Sequence, residues 1–181
     1  MNTSPPTTTG SDRGFTVLEM ALATVTLMIG IMSISAATLR MHQLGRQNRE
    51  RTLAHNAIHA VAERLNSASA IAAKDPGSWA ATLLEAYGPG GVVGDTFDIE
   101  GLTPPAGQAT VGTITIVTNE TATDDDLGVI MGMPRDLNGD GDASDLDVAE
   151  DARMLAMIVT ATWRGEGSTV VVRHPLYVMG Y

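Results

Sequence analysis

The chain has 181 residues, no cysteine, and 21 acidic against 11 basic side chains, for a formal net charge of −10. This length suits one globular domain with an anchor but is too short for two substantial domains with separate cores. The charge excludes a broad electropositive surface, so no nucleic-acid partner is predicted, and the lack of cysteine excludes thiol catalysis, thiolate metal sites and disulfides.

Residues 1–14 are rich in Thr, Ser, Pro and Gly and have no apolar face. Such a composition cannot form a packed core, so we predict a disordered leader. An apolar segment, 15–39, follows with Glu19 as its single formal charge. As a helix at about 1.5 Å per residue it would be about 37 Å long, which is enough to cross a bilayer. Basic residues flank it on both sides and do not define its orientation.

The junction of leader and apolar segment reads Gly14-Phe15-Thr16-Val17-Leu18-Glu19. It resembles the class III signal of type IV prepilins, in which a peptidase cuts between a glycine and an aromatic residue. The resemblance covers residues 13 to about 40 and implies cleavage between Gly14 and Phe15, N-methylation of Phe15, and a role for Glu19 in assembly. In that family the glutamate is thought to pair with the new amino group of a neighbouring subunit. Because an unpaired carboxylate in a membrane costs several kcal/mol, such pairing would favour a defined register between subunits.

Two alternative interpretations of this region stay open. Glu19 could be an ordinary carboxylate in the first turn of a helix, where the helix dipole favours negative charge. Residues 20–37 could also be the core of a conventional secretory signal cut near Ser35-Ala36-Ala37. The long apolar core and the acidic Asp12 before it favour the prepilin interpretation.

The helical pattern continues beyond the apolar segment to about residue 73. Apolar residues recur at steps of three and four and form a stripe that can pack on a sheet: Leu53, Ala54, Ala57, Ile58, Val61, Leu65, Ala68 and Ala72. The turn-forming residues 74–77 then end the helix. Alternation and β-branched residues predict strands near 96–99, 111–118, 155–163 and 169–174, the last two joined as a hairpin around 164–167.

A long amino-terminal helix followed by an antiparallel sheet predicts an α+β chain, and together with the resemblance it implies the pilin fold. The expected organisation is a leader (1–14), a transmembrane and assembly helix (15–39) and a periplasmic head (40–181). His55 and His59 are four residues apart, which could allow metal chelation, but we interpret them as a solvated helix face. His42 and His174 are expected to have no companions nearby.

Residues 136–147, called the acidic loop below, follow the spacing of a calcium-binding loop, with glycine at the sixth position for the sharp turn. The predicted calcium ligands are Asp136, Asn138, Asp140, Asp142, Ser144 and Asp147, with Asp142 binding through its backbone carbonyl. The loop most resembles that of a dockerin, although one copy without an entering helix does not predict a cohesin partner. We interpret it as a structural calcium staple, as in the calcium-bearing loops of major pseudopilins. A solvated acidic turn is the alternative, and residues 124–126 are interpreted as solvated rather than as further ligands.

These observations predict a structural subunit, a minor pilin or pseudopilin of a type IV pilus or type II secretion pseudopilus. The chain would cross the bacterial inner membrane once, with its head in the periplasm, and then enter the filament. The implied partners are prepilin peptidase, other pilins or pseudopilins and the inner-membrane assembly platform. The sequence shows no nucleophile paired with a base, no phosphate-binding loop and no redox centre, so we do not predict an enzyme. The alternative is a membrane-tethered calcium-binding adhesin or scaffold domain that does not polymerise.

Overall fold

A computed structural model describes residues 16–75 and 77–180, and the chain divides after Leu44 into two compact units. Helix α1, Val17–Ala72, supplies the helical part of the amino-terminal unit and continues into the carboxyl-terminal unit, Gly45–Tyr181. Its end at Ala72 agrees with the end expected from the sequence. The carboxyl-terminal unit also contains helix α2, Trp79–Tyr87, and the short helix α3, Asp124–Leu127.

The amino-terminal unit exposes apolar side chains over its whole described length. An 18-residue window of α1 has a mean hydropathy of 2.0, and none of it is buried. By length and composition this helix could cross a membrane, a criterion that a signal sequence also meets. The five hydroxyl side chains between residues 17 and 39 all donate to carbonyl groups of the preceding turn, namely Thr24, Thr26, Ser33, Ser35 and Thr38. The apolar surface therefore carries no unsatisfied hydroxyl donor, as a hydrocarbon environment requires.

A four-stranded antiparallel sheet in the order β1-β2-β3-β4 forms the centre of the carboxyl-terminal unit. Its strands are β1 (Thr96–Phe97), β2 (Gly112–Val117), β3 (Met154–Arg164) and β4 (Thr169–Met179). The α+β layout is thereby confirmed, and each expected strand is present. The hairpin is also confirmed, since Arg164 pairs with Thr169.

The expected ends of two strands are wrong. Strand β4 continues past Pro175 to Met179, although it was predicted to end at His174. Proline lacks the N–H that an interior strand needs, but β4 is at the edge of the sheet and tolerates it. Strand β1 has only two residues, although four were expected.

The core lies between the second part of α1, helix α2 and the sheet. Ala54, Ile58, Val61 and Leu65 of α1 belong to one buried cluster that also contains most of β3. The other four residues of the expected stripe are partly buried against the same cluster. Helix α2 was not predicted, although Trp79, Ala80, Leu83 and Tyr87 bury one of its faces.

Candidate functional site

The predicted cleavage site, Gly14 and Phe15, and the leader before it lie outside the described residues. Thr16 and Glu19 are described, and they form a capping box at the start of α1. The Glu19 Oε2 atom accepts hydrogen bonds from the Thr16 backbone N–H at 2.9 Å and from its hydroxyl at 3.1 Å. The Thr16 hydroxyl oxygen in turn accepts from the Glu19 N–H at 3.2 Å.

This geometry gives Glu19 a local role, because its carboxylate satisfies donors that the first turn of a helix leaves without partners. The Thr-x-x-Glu pattern of this capping box is local and therefore visible in the sequence. The alternative interpretation of Glu19 as a first-turn carboxylate is therefore supported as a structural role, and it does not conflict with a role in assembly.

In the acidic loop, several predicted ligands hydrogen-bond to the backbone of the loop itself. The two carboxylate oxygens of Asp136 accept from the N–H groups of Gly139 and Gly141, at 2.5 and 3.0 Å. Both glycines have positive φ angles, 78° and 107°, which few other residues adopt. Asp140 Oδ1 accepts from the Asp142 N–H at 3.0 Å. The loop is thus folded by its own carboxylates.

The second half of the loop follows the same pattern. Asp142 Oδ1 accepts from the hydroxyl and the N–H of Ser144, and these bonds lower the pKa of Asp142 below its ordinary value. Asp147 Oδ1 accepts from the Ala149 N–H at 3.1 Å. Across residues 16–75 and 77–180, no group of three or more His, Cys, Asp or Glu side chains is gathered around a potential metal position. Calcium binding by this loop stays a prediction.

Asn138 is buried and connects the loop to carboxylates outside the predicted ligand set. Its Nδ2 donates to Asp145 Oδ2 at 3.1 Å and to Asp151 Oδ2 at 3.3 Å. Burial raises the pKa of Asp145, and so do the negative charges of Asp140, Glu120 and Asp142. Several carboxylates therefore repel one another at this side of the loop.

Glu120, which is not among the predicted ligands, contacts the loop with its side chain 0% exposed. Its Oε1 accepts from the N–H groups of Leu137 and Asn138, at 2.6 and 3.2 Å. Its backbone N–H donates to the Asp145 carbonyl at 3.0 Å. The buried Oε2 atom has no hydrogen-bond partner. No spacing in the sequence associates Glu120 with the loop, because the two are brought together only by the fold.

Of residues 124–126, which were interpreted as solvated, Asp125 and Asp126 are exposed and Asp124 is partly buried at the start of α3. Asp124 accepts from the N–H groups of Met131, Gly132 and Met133, and the bonds from Met133 and Met131 hold its pKa below the ordinary value. Asp126 forms a capping box with Thr123 at the start of α3.

The expectation that His174 has no companions is wrong. Its ring centroid lies 5.1 Å from that of His59 in an edge-to-face arrangement. Burial, followed by the charges of His59 and His55, lowers the pKa of His174. His55 and His59 are exposed, as predicted, but strand β4 brings a third imidazole to their side of α1.

Comparison with known proteins finds no match to any family model, to any curated protein or to any solved structure.

Proposed function

We propose that this chain is a structural subunit, a minor pilin or pseudopilin of a type IV pilus or type II secretion pseudopilus. The observation that carries the proposal is the start of α1, where a Gly-Phe junction is followed directly by Glu19 and by an apolar helical surface that the chain itself does not bury. A large apolar surface requires lipid or another protein to cover it. A filament of parallel helices supplies such a cover after the subunit leaves the membrane.

The proposed path begins in the bacterial inner membrane, with residues 40–181 in the periplasm. Prepilin peptidase would cut between Gly14 and Phe15 and methylate the new amine. The assembly platform would then bring the helix against those of other pilins or pseudopilins. The calcium prediction belongs to the same proposal, since a bound ion would stabilise a head that has no cysteine for disulfides.

Amino-terminal sequencing and intact mass of the protein from native membranes, with and without the prepilin peptidase, test this proposal. We expect a mature chain that begins at methylated Phe15 only when the peptidase is present. A chain that begins at Met1 in both strains, or one that is cut near Ala36, would contradict it.

The capping box favours a second candidate, the membrane-tethered calcium-binding adhesin or scaffold domain that does not polymerise. A tether would also use Glu19 to begin its helix, so the presence of Glu19 alone does not separate the two candidates. Glu19→Gln separates them, because glutamine at this position of a capping box can still accept a hydrogen bond but carries no charge.

If Glu19 pairs with an amino group of a neighbouring subunit, Glu19→Gln and Glu19→Ala should both abolish filaments in a pilus or secretion assay. If Glu19 serves only as a cap, Glu19→Gln should behave as the wild type. Membrane levels of each variant, measured by immunoblot, show whether the loss concerns assembly or insertion.

A further inference from the structure

The side chain of Glu120 is the least explained polar group of the carboxyl-terminal unit. It is 0% exposed, and its Oε2 is the buried side-chain oxygen or nitrogen that lacks a hydrogen-bond partner among the described residues. An unpaired buried carboxylate oxygen is costly, so its presence requires an explanation such as an ion, a water molecule or a proton.

The position of Glu120 indicates which explanation fits best. Its Oε1 is held by the N–H groups of Leu137 and Asn138, so the carboxylate is directed at the beginning of the acidic loop. Its backbone donates to the carbonyl of Asp145, and the charges of Glu120, Asp140 and Asp142 all act on the Asp145 side chain. Glu120 therefore forms a loose cluster with the carboxylates of Asp145, Asp140 and Asp142. Among the described residues no three of these carboxylates surround a common point, and a cation that drew them together would remove both the desolvation cost and the mutual repulsion.

Positive side chains do not neutralise this cluster. Among residues 16–75 and 77–180 the one ion pair is Arg46–Glu50, which belongs to α1. Two arginines lie near the loop. Arg135 directly precedes it and stacks on the Tyr177 ring, and Arg153 Nη1 is 3.5 Å from the place where a Cβ on Gly139 would be, but neither forms an ion pair with a carboxylate of the described residues. The cluster thus keeps an excess of negative charge made of oxygen atoms, which are the ligands of a hard divalent cation.

We propose that Glu120 is the anchoring ligand of a calcium ion and that Asp145 and Asp140 complete its carboxylate ligands, so that the site lies on the Glu120 side of the loop. This inference deepens the calcium part of the proposed function and rests on it. It changes the ligand set predicted from loop spacing, since Asp145 replaces Asp147 and a residue outside the loop supplies the buried oxygen. Asp140 is common to both sets. The carboxylates of Asp145 and Asp140 close around the ion when it binds.

Titration of Ca²⁺ alone into the metal-free full-length chain in detergent, followed by calorimetry, tests the inference with two matched pairs of variants. Glu120→Gln keeps the oxygen that accepts from Leu137 and Asn138 but replaces the orphan oxygen by an amide. Its control, Glu150→Gln, makes the same change at an exposed residue. We expect Glu120→Gln to weaken calcium binding by about tenfold or more, and Glu150→Gln to leave it unchanged.

The second pair compares Asp145→Asn with Asp147→Asn. Both remove one charge from the loop, but only Asp147 is a ligand by loop spacing and only Asp145 is a ligand by the present inference. We expect Asp145→Asn to weaken binding and Asp147→Asn to have little effect. This pair also tests the assignment of the ligands if Glu120→Gln does not fold, because neither aspartate is in the core.

The possible results distinguish the assignment of the calcium ligands from calcium binding itself. Calcium binding that is unaffected by Glu120→Gln and Asp145→Asn, or that is lost in Asp147→Asn instead, would overturn the inference and leave calcium binding intact. A wild-type chain that binds no calcium would overturn both the inference and the calcium part of the proposed function. This titration does not test filament assembly, which is measured separately.

Discussion

At the scale of single residues, Asp124 shows how one carboxylate can organise a loop. Its two oxygens accept three backbone N–H groups, from Met131, Gly132 and Met133, at distances of 2.9 to 3.1 Å. The same loop is joined to β4, because Tyr177 donates its hydroxyl to the Met131 carbonyl at 2.8 Å. The loop that precedes the acidic loop is therefore attached at both Asp124 and Tyr177.

The pKa of Asp124 predicts how its contribution to stability depends on pH. The bonds lower its pKa below the ordinary 3.8 in the folded state, so the stabilisation is complete above that value and is lost as pH falls through the folded-state pKa. Asp124→Asn removes the charge and turns an amide toward one of the N–H donors. We expect it to lower Tm at neutral pH and to differ less from the wild type as pH falls through the folded-state pKa of Asp124, because the wild-type carboxylate then becomes protonated too.

Thermal unfolding of the full chain in detergent between about pH 7 and about pH 2 measures this difference. Asp125→Asn is the matched control, because Asp125 is the exposed neighbour of the same charge. It should follow the wild type throughout. A gap between Asp124→Asn and the wild type that is equally large at all pH values would contradict the assigned role of the charge.

Residue by residue, the sequence predicted candidate sites only where their pattern is local. The oxygen spacing of residues 136–147 and the junction at Gly14 could be found because their members are near one another in the chain. Glu120 and Asp151 could not, since the contact of Glu120 with the loop and that of Asp151 with Asn138 arise from the fold. His174 was missed for the same reason, as it meets His59 only through the packing of β4 near α1.

At the scale of elements, Ser69 joins α1, α2 and β4. This residue is 4% exposed, and its hydroxyl donates to the Met179 carbonyl at 3.1 Å. The same oxygen accepts from Trp79 Nε1 at 3.1 Å. The end of the long helix is therefore connected to the helix that follows it and to the edge strand of the sheet.

Ser69→Ala should destabilise the carboxyl-terminal unit, because it leaves the buried indole N–H of Trp79 without its acceptor. A buried donor without a partner costs about 1–3 kcal/mol, and we expect the free energy of unfolding to fall by that amount. Chemical denaturation followed by tryptophan fluorescence measures it, since Trp79 and Trp163 are both buried in this unit.

Ser67→Ala is the control for this prediction. Ser67 is exposed on the same helix, and its hydroxyl donates only to the Glu63 carbonyl of the preceding turn. Its substitution should change the unfolding free energy by less than about 0.5 kcal/mol. Equal effects of the two substitutions would show that the Ser69 network does not stabilise the fold.

The elements that the sequence predicted well are those in which apolar residues recur regularly over several turns of a helix or along a whole strand. Helix α1 and strands β2 and β3 meet that condition, and their positions agree with the structure. Helix α2 is short and follows a turn, so its apolar face at Trp79, Leu83 and Tyr87 was not recognised. The length of β4 depends on its place at the sheet edge, which is a tertiary fact that Pro175 does not reveal locally.

At the scale of the whole molecule, the chain separates an apolar helix from a folded head. The described part of the first unit exposes its apolar side chains, while the second contains the core and all four strands. Changes near Gly14 and changes in the acidic loop should therefore act independently of each other. This independence is what a subunit requires if its first segment assembles and its second segment folds before assembly.

Gly14→Ala and Asp140→Ala test this independence. Under the proposed function, Gly14→Ala should leave the leader attached and block assembly, because the prepilin resemblance implies that a side chain there would crowd the peptidase, and the Tm of the carboxyl-terminal unit should not change. Asp140→Ala should spare cleavage and lower that Tm by more in calcium than in a chelator, because the loss of the bond to the Asp142 N–H acts in both conditions while the stabilisation by a ligand depends on its binding to the folded state. Intact mass of the membrane protein and thermal unfolding in calcium or in a chelator measure the two effects. If the chelator leaves the wild-type Tm unchanged, the ion is not a staple, and the carboxylates around Glu120 must be stabilised by protons or water instead.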